Sequence, residues 1–141
     1  MTDLQNSELA LLLDRFMRRI HFSLQSKADG FDTAKVGPGG GIVLLTLAEM
    51  GRPSMNELTN RVARDKSQMT RTIKSFEAKG LIERETSPDD ARVSVVFLDD
   101  AGEAVVRGLQ TAVAETITEI LTPISDTEEM ALKGLLERVL T

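Results

Sequence analysis

Six polar side chains between residues 67 and 75 carry hydrogen-bonding groups of the kind that recognise duplex DNA. An arginine can donate two hydrogen bonds to guanine, a glutamine can pair with adenine, and serine, threonine and lysine can reach phosphates or base edges. These residues are Ser67, Gln68, Thr70, Arg71, Lys74 and Ser75. Met69, Ile73 and Phe76 recur among them at steps of four and three, which predicts a helix with an apolar face toward a core. We predict that the opposite, polar face contacts DNA; an ordinary polar helix surface is the alternative.

The charge of the chain is unevenly distributed. Its net charge of −5 argues against nucleic acid at first, because phosphates must be neutralised by cations. However, the segment 61–79 holds six basic residues and two acidic ones, whereas from residue 99 to the end there are nine acidic residues and three basic ones. This polarity favours DNA contact in the middle of the chain and another role for its ends. Ordinary solvated faces are the alternative.

Two helix-start signals precede the polar face in the sequence. Ser54 followed by Glu57 fits a capping box, in which each residue satisfies a free amide of the other, and predicts a short helix to about Val62. Asp65 can then cap a second helix that runs to Lys79. Two short helices about four residues apart, the second basic and amphipathic, are typical of a helix-turn-helix whose second helix enters the major groove.

A β-hairpin is predicted directly after these helices. The segments 81–86 and 92–98 are rich in β-branched and apolar residues, and the turn residues Ser87 to Ala91 separate them. The predicted fold class is therefore mainly α with a small β-hairpin wing, a winged helix-turn-helix with additional helices at both ends. By residue number we expect an N-terminal region 1–36, a DNA-binding region 37–100 and a C-terminal region 101–141, together forming one compact domain.

Amphipathic helices are predicted at both ends of the chain, from about 7 to 27, from 101 to 122 and from 126 onward. A further helix, from about 38 to 50, is apolar on most sides and is predicted to be buried. A single recognition helix covers few base pairs, so such proteins usually bind DNA as pairs. The apolar residues of the terminal helices exceed the apparent need of one small core and are predicted to form a homodimer. They are Leu9, Leu13, Phe16, Val106, Leu109, Val113, Ile117, Ile120, Leu136, Val139 and Leu140. The alternative is that they complete an intramolecular core.

Composition argues against several other classes of site. The chain has no cysteine, one histidine and no tyrosine, so a disulfide, a thiolate metal site and a zinc cage are not expected. No glycine-rich phosphate loop follows a strand, and we expect neither an enzyme nor a cofactor. Charged residues interrupt the first hydrophobic stretch and no apolar run is long enough for a bilayer, which predicts a cytoplasmic protein without membrane contact.

The sequence resembles the MarR family of regulators over nearly its whole length. The motifs that carry the resemblance are Met55-Asn56-Glu57-Leu58, Met69-Thr70-Arg71-Thr72-Ile73, Glu77-Ala78-Lys79-Gly80-Leu81-Ile82, Asp90-Ala91-Arg92 and Leu98-Asp99-Asp100-Ala101-Gly102. Two positions depart from the usual pattern. Ala91 stands where many members carry another arginine, which weakens the expected wing contact, and Asp99 replaces a threonine but preserves its capping chemistry.

The resemblance implies a dimeric repressor that places the helix around Ser67 to Ser75 in the major groove and Arg92, at the wing tip, in the minor groove. An arginine on a thin hairpin suits a narrow and strongly negative groove. Asp90 is predicted to orient that guanidinium by a two-point pair; an exposed turn ion pair of little consequence is the alternative. The expected partner is a pseudo-palindromic operator in double-stranded DNA.

The family also implies a small aromatic effector that alters the spacing of the two recognition helices. His21 and Arg18 on the first helix are candidates for meeting an anionic effector, with surface solvation as the alternative. The segment Gly37 to Gly41 is expected to mark a flexible helix start or close helix packing, and anion binding is the other possibility. A winged-helix module that binds a protein partner without specific DNA binding is the alternative function.

Overall fold

The computed structural model describes residues 2–141, which form six helices and one antiparallel hairpin in the predicted order. The helices are α1 (Asp3–Phe31), α2 (Gly37–Met50), α3 (Met55–Val62), α4 (Lys66–Ala78), α5 (Asp100–Ile120) and α6 (Asp126–Leu140), and the strands are β1 (Ile82–Thr86) and β2 (Ser94–Leu98). In the hairpin Ile82 pairs with Leu98 and Thr86 with Ser94. The predicted fold class, a mainly α winged helix-turn-helix, is confirmed.

The predicted capping signals at the two short helices are present. The Ser54 hydroxyl accepts from the amide of Glu57, whose carboxylate accepts from the Ser54 amide, so the capping box at α3 is complete. The hydrogen bond from the Ser54 amide, with a smaller contribution from the Ser54 side chain, lowers the pKa of Glu57 below its ordinary value. Asp65 caps α4 by accepting from the Gln68 amide. These bonds fix where both helices start.

The described chain divides into two compact units, whereas the sequence predicted one compact domain. The winged unit is Gln25–Ala112, and the terminal unit combines the chain up to Leu24 with Val113–Thr141. The unit boundaries fall inside α1 and α5, because each of these long helices contributes one part to each unit. They therefore differ from the expected divisions after residues 36 and 100.

The core of the winged unit is built from helices α2, α3, α4 and α5 and from the hairpin. Its buried apolar residues are Val43, Leu44, Leu47, Leu58, Met69, Ile73, Phe76, Leu81, Ile82, Val96, Val106 and Leu109. Val106 and Leu109 had been predicted to lie at a dimer interface, but they are buried in the core of their own chain. The correction arises because the first half of α5 belongs to the winged unit. There the helix uses its apolar stripe for intramolecular packing.

No helix within residues 2–141 is long and apolar enough to cross a membrane.

Candidate DNA-binding surface

Helix α4 presents the predicted polar face to solvent. Met69, Ile73 and Phe76 are buried and anchor the helix to the core. The six predicted contact residues are all exposed: Ser67, Gln68, Thr70, Arg71, Lys74 and Ser75. Among them the Thr70 hydroxyl donates to the carbonyl of Lys66 in its own helix at 2.8 Å. The helix therefore separates a packing face from a face with free hydrogen-bonding groups.

The basic side chains of this face have no anionic partner within the chain. Among the described residues, neither Arg71 nor Lys74 takes part in a hydrogen bond or ion pair through its side chain. Both are exposed, so their charge is fully available to a ligand. Unpaired cations next to hydroxyl and amide groups match the requirements of the major groove, where phosphates flank the base edges.

The loop that joins the two strands of the hairpin carries an exposed arginine. Residues 87–93 form the loop between the strands, and the Arg92 side chain is 90% exposed. Its Nε donates to Asp90 Oδ1 at 3.2 Å and its Nη2 to Asp90 Oδ2 at 3.4 Å. The Arg92 amide also donates to Asp90 Oδ1, and these bonds hold the pKa of Asp90 below its ordinary value. The predicted Asp90 pair is thus present and stays ionised, while its effect on DNA binding remains a prediction.

Long-range contacts connect the hairpin with the rest of the winged unit. Arg52, between α2 and α3, donates to Glu85 of β1 at 2.7 Å, and its guanidinium lies 3.9 Å from the ring centre of Phe97 on β2. Arg84 of β1 donates to Glu77 of α4 at 2.7 Å. Sequence reasoning missed these contacts, because partners as far apart as 33 positions leave no local pattern. The Arg84–Glu77 pair connects the wing to the recognition helix, and Arg52 connects it to the segment between α2 and α3.

The glycine-rich segment serves packing at the start of α2. A Cβ built on Gly40 would lie 3.2 Å from the Phe76 ring, which shows a close approach of α2 to α4. The amides of Val36 and Gly37 donate to the two carboxylate oxygens of Asp32 at 2.9 Å. An anion at this helix start is therefore already supplied by the chain, which corrects the suggestion of an external one.

The candidate effector residues, His21 and Arg18, both lie on the surface of α1. His21 is exposed, and Arg18 pairs with Asp14 on the same helix at 2.8 Å while its side chain remains 79% exposed. Both side chains are solvated in the single chain, and their role toward an effector stays a prediction. Within residues 2–141 no group of three or more metal-binding side chains is brought together.

The terminal unit carries most of the exposed apolar surface in the described part of the chain. Twelve of thirteen exposed large hydrophobic side chains lie in it, and the other is Ile42 of α2. Helix α6, with Phe16, Ile117 and Leu121, lines an apolar groove of about 930 Å³. Of the predicted dimer residues in this unit, Leu9, Leu13, Leu136, Val139 and Leu140 are exposed, and Phe16, Val113 and Ile117 are half-buried. Ile120 is buried within its own chain, which corrects its predicted place at the dimer interface. Apolar patches of this extent mark interaction sites.

Residues 42–94 match the model of the MarR family. The match covers α2 from its second turn, the helix-turn-helix and the hairpin as far as the first residue of β2. It therefore includes every residue proposed above to contact DNA.

Two relatives named as transcriptional regulators extend the likeness. The transcriptional regulator PecS of Dickeya dadantii is 27% identical over 136 residues, which are 94% of this chain and 76% of PecS. A protein of Thauera aromatica, to which its name assigns a regulatory role for the hcr operon, is 30% identical over 107 residues, which are 76% of this chain and 64% of that protein.

Solved structures share the fold over nearly the whole chain. A protein from Pseudomonas aeruginosa, described as a transcriptional regulator, is 27% identical, with a TM-score of 0.75 and coverage of 96% of this chain and 98% of that one. The apo form of MarR from E. coli is 22% identical, with a TM-score of 0.79 and coverage of 94% and 96%. BpsR of Bordetella bronchiseptica, whose DNA binding is regulated by 6-hydroxynicotinic acid, is 21% identical, with a TM-score of 0.77 and coverage of 95% and 99%.

Proposed function

Since the chain belongs to the MarR family of transcriptional regulators, we propose that it represses transcription in the cytoplasm by binding a pseudo-palindromic operator as a homodimer. One observation carries the proposal. The exposed face of α4 holds Arg71 and Lys74 without an internal partner, next to a wing whose tip carries the exposed Arg92. A repressor of this kind acts by covering promoter DNA.

The two elements would contact different grooves. Helix α4 would enter the major groove, where Gln68 and Arg71 can recognise adenine and guanine edges while Ser67, Thr70, Lys74 and Ser75 reach bases or phosphates. Arg92 would enter the adjacent minor groove, whose negative potential attracts a guanidinium. The bracing of β1 by Arg84 and Glu77 supports a constant distance between these two elements.

Dimerisation is supported by the terminal unit. It combines an apolar groove of about 930 Å³ with exposed apolar residues on α1 and α6, so that one surface offers both a recess and protruding side chains. A second copy of the chain is the occupant that fits, because a two-fold interface is built from the same patch on both partners. Pairing two copies would also bring two recognition helices to half-sites about one helical turn apart.

A small-molecule effector is the further component of the proposal. BpsR, with the same fold, is regulated in its DNA binding by 6-hydroxynicotinic acid, an anionic aromatic compound. A ligand of that class would act here by binding more tightly to a dimer whose recognition helices are wrongly spaced for the operator. His21 and Arg18 stay as candidates to meet its negative charge.

The test is selection from a library of random duplexes by the purified protein at two salt concentrations, followed by sequencing. We expect enrichment of a palindromic motif, with weaker retention at the higher salt because phosphate contacts release counterions. Circular dichroism establishes that the protein is folded. A folded protein that enriches no sequence at either salt would contradict the proposal.

The alternative function is a winged-helix module that binds another protein. It predicts that interaction with the partner depends little on salt and survives replacement of Arg71 and Arg92. The unpaired cations on α4 favour DNA, since they are placed where a duplex needs them and have no structural use within the described chain.

A further inference from the structure

Arg64 is a basic residue in the turn of the helix-turn-helix, between the end of α3 and Asp65, which caps α4. The preceding residue, Ala63, has a left-handed backbone with φ of 58° that ends α3 and turns the chain toward α4. In a helix-turn-helix the first helix crosses the DNA backbone and the start of the second helix meets the bases. Arg64 therefore lies at the point in the sequence where the protein passes from phosphates to base edges.

The charge of Arg64 is unused within the described chain. Six arginines occur between residues 52 and 92. Four of them pair with a carboxylate, namely Arg52, Arg61, Arg84 and Arg92. The side chains of the other two, Arg64 and Arg71, make no hydrogen bond or ion pair among the described residues. Arg71 lies on the proposed recognition face, whereas nothing so far accounts for Arg64.

Unlike the exposed Arg71, Arg64 is half-buried, and its guanidinium lies against Gly39 in the first turn of α2. A Cβ built on Gly39 would lie 2.7 Å from Nη2 and 3.1 Å from Nη1 of Arg64. Only a residue without a side chain leaves room for the guanidinium in this position. A cation held by packing loses less conformational freedom when it binds an anion than a freely rotating one does.

We propose that Arg64 is a DNA phosphate contact and that Gly39 positions its guanidinium. This inference rests on the proposed function and adds a contact outside the exposed face of α4. A phosphate is the expected ligand because the turn precedes the base-contacting part of the recognition helix. A guanidinium offers two parallel donors to phosphate oxygens. Gly39 acts only through Arg64 and touches no DNA itself.

The test measures binding of the full-length protein to its selected operator and to an unrelated duplex of equal length, between about 50 and about 200 mM salt. Arg64→Gln should weaken binding to both duplexes by the same factor. It should also reduce the magnitude of the slope of log affinity against log salt by about one for each bound chain. The rise in salt across this range should then cost the variant about threefold less affinity per chain than it costs the wild type. Gly39→Ala should weaken both complexes too, because its methyl group displaces the guanidinium.

The double variant separates positioning from direct contact. If Gly39 acts through Arg64, adding Gly39→Ala to Arg64→Gln produces no further loss. Gly30→Ala is the matched control, since a Cβ there meets nothing within 4 Å, and it should bind as the wild type does. Thermal unfolding followed by circular dichroism checks that each variant is folded.

Three outcomes would overturn the inference while leaving the proposed function standing. Each of them assumes that the wild-type protein binds DNA normally. The first is that Arg64→Gln leaves the affinity and the salt slope unchanged, and the second is that Arg64→Gln weakens binding to the operator alone. The third is that the double variant binds more weakly than Arg64→Gln. The second outcome would make Arg64 a base contact, and the third would give Gly39 a role of its own. Failure of the wild-type protein to bind any duplex would instead contradict the proposed function.

Discussion

At the scale of single residues, Arg71 and Lys74 occupy the same exposed face of α4 but differ in the contact that we expect of them. Arg71 can donate two hydrogen bonds to one guanine, so Arg71→Ala should relax sequence preference at one base pair by about 1–3 kcal/mol. Affinities for operators mutated at each position measure this effect. The loss should be confined to one position in each half-site.

Lys74→Ala is the matched comparison, because it removes a cation from the same face. If Lys74 contacts a phosphate, this variant weakens all sequences alike and lowers the salt slope by about one per bound chain. Equal specificity profiles for Arg71→Ala and Lys74→Ala would contradict the assignment, as would wild-type affinity in both.

At the scale of elements, the start of α5 is packed against the start of the hairpin through Gly102. A Cβ built there would lie 1.9 Å from the carbonyl oxygen of Leu81, which also accepts from the amide of Asp99 at 3.1 Å. Gly102→Ala must therefore separate the two elements and should lower the free energy of unfolding by about 1–3 kcal/mol. Urea unfolding followed by circular dichroism measures this change.

Gly134→Ala provides the control, since Gly134 lies within α6 and a Cβ there meets nothing within 4 Å. It should raise stability by up to about 1 kcal/mol, because alanine loses less conformational entropy than glycine on entering a helix. If Gly102→Ala were as stable as Gly134→Ala, the prediction that a side chain at position 102 forces α5 away from Leu81 would be wrong.

At the scale of the whole molecule, assembly depends on the exposed end of α6. Val139 and Leu140 are 79% and 81% exposed in the single chain, so a charge there should not disturb the fold of the protomer. In the proposed dimer it would be buried without a partner. Replacing both residues by glutamate should yield monomers by sedimentation and weaken operator binding about 10²-fold or more, because two half-sites are no longer bound together.

Ile42→Glu is the control for added negative charge, since Ile42 is an exposed apolar residue of the winged unit, outside the predicted interface. It should sediment as the wild type does. Sedimentation of the Val139 and Leu140 double variant at the mass of two chains would contradict the proposed interface.

Local signals in the sequence determined most of the winged helix-turn-helix. The capping residues Ser54 and Asp65 predicted where α3 and α4 begin, because a cap bonds to an amide three residues away. The positions of Met69, Ile73 and Phe76 predicted the buried face of α4, since helical periodicity depends only on spacing along the chain. The exposed side chains proposed to bind DNA follow directly from that face.

The tertiary structure alone decided which apolar stripes are used within the chain. Val106 and Val139 are equivalent as sequence signals, yet the first is buried in the core and the second is exposed. The structure likewise brought Arg64 to Gly39 and Arg52 to Glu85. These outcomes could not be predicted, because periodicity shows which face of a helix is apolar but not which element that face packs against. A contact between distant residues depends on how every intervening element packs.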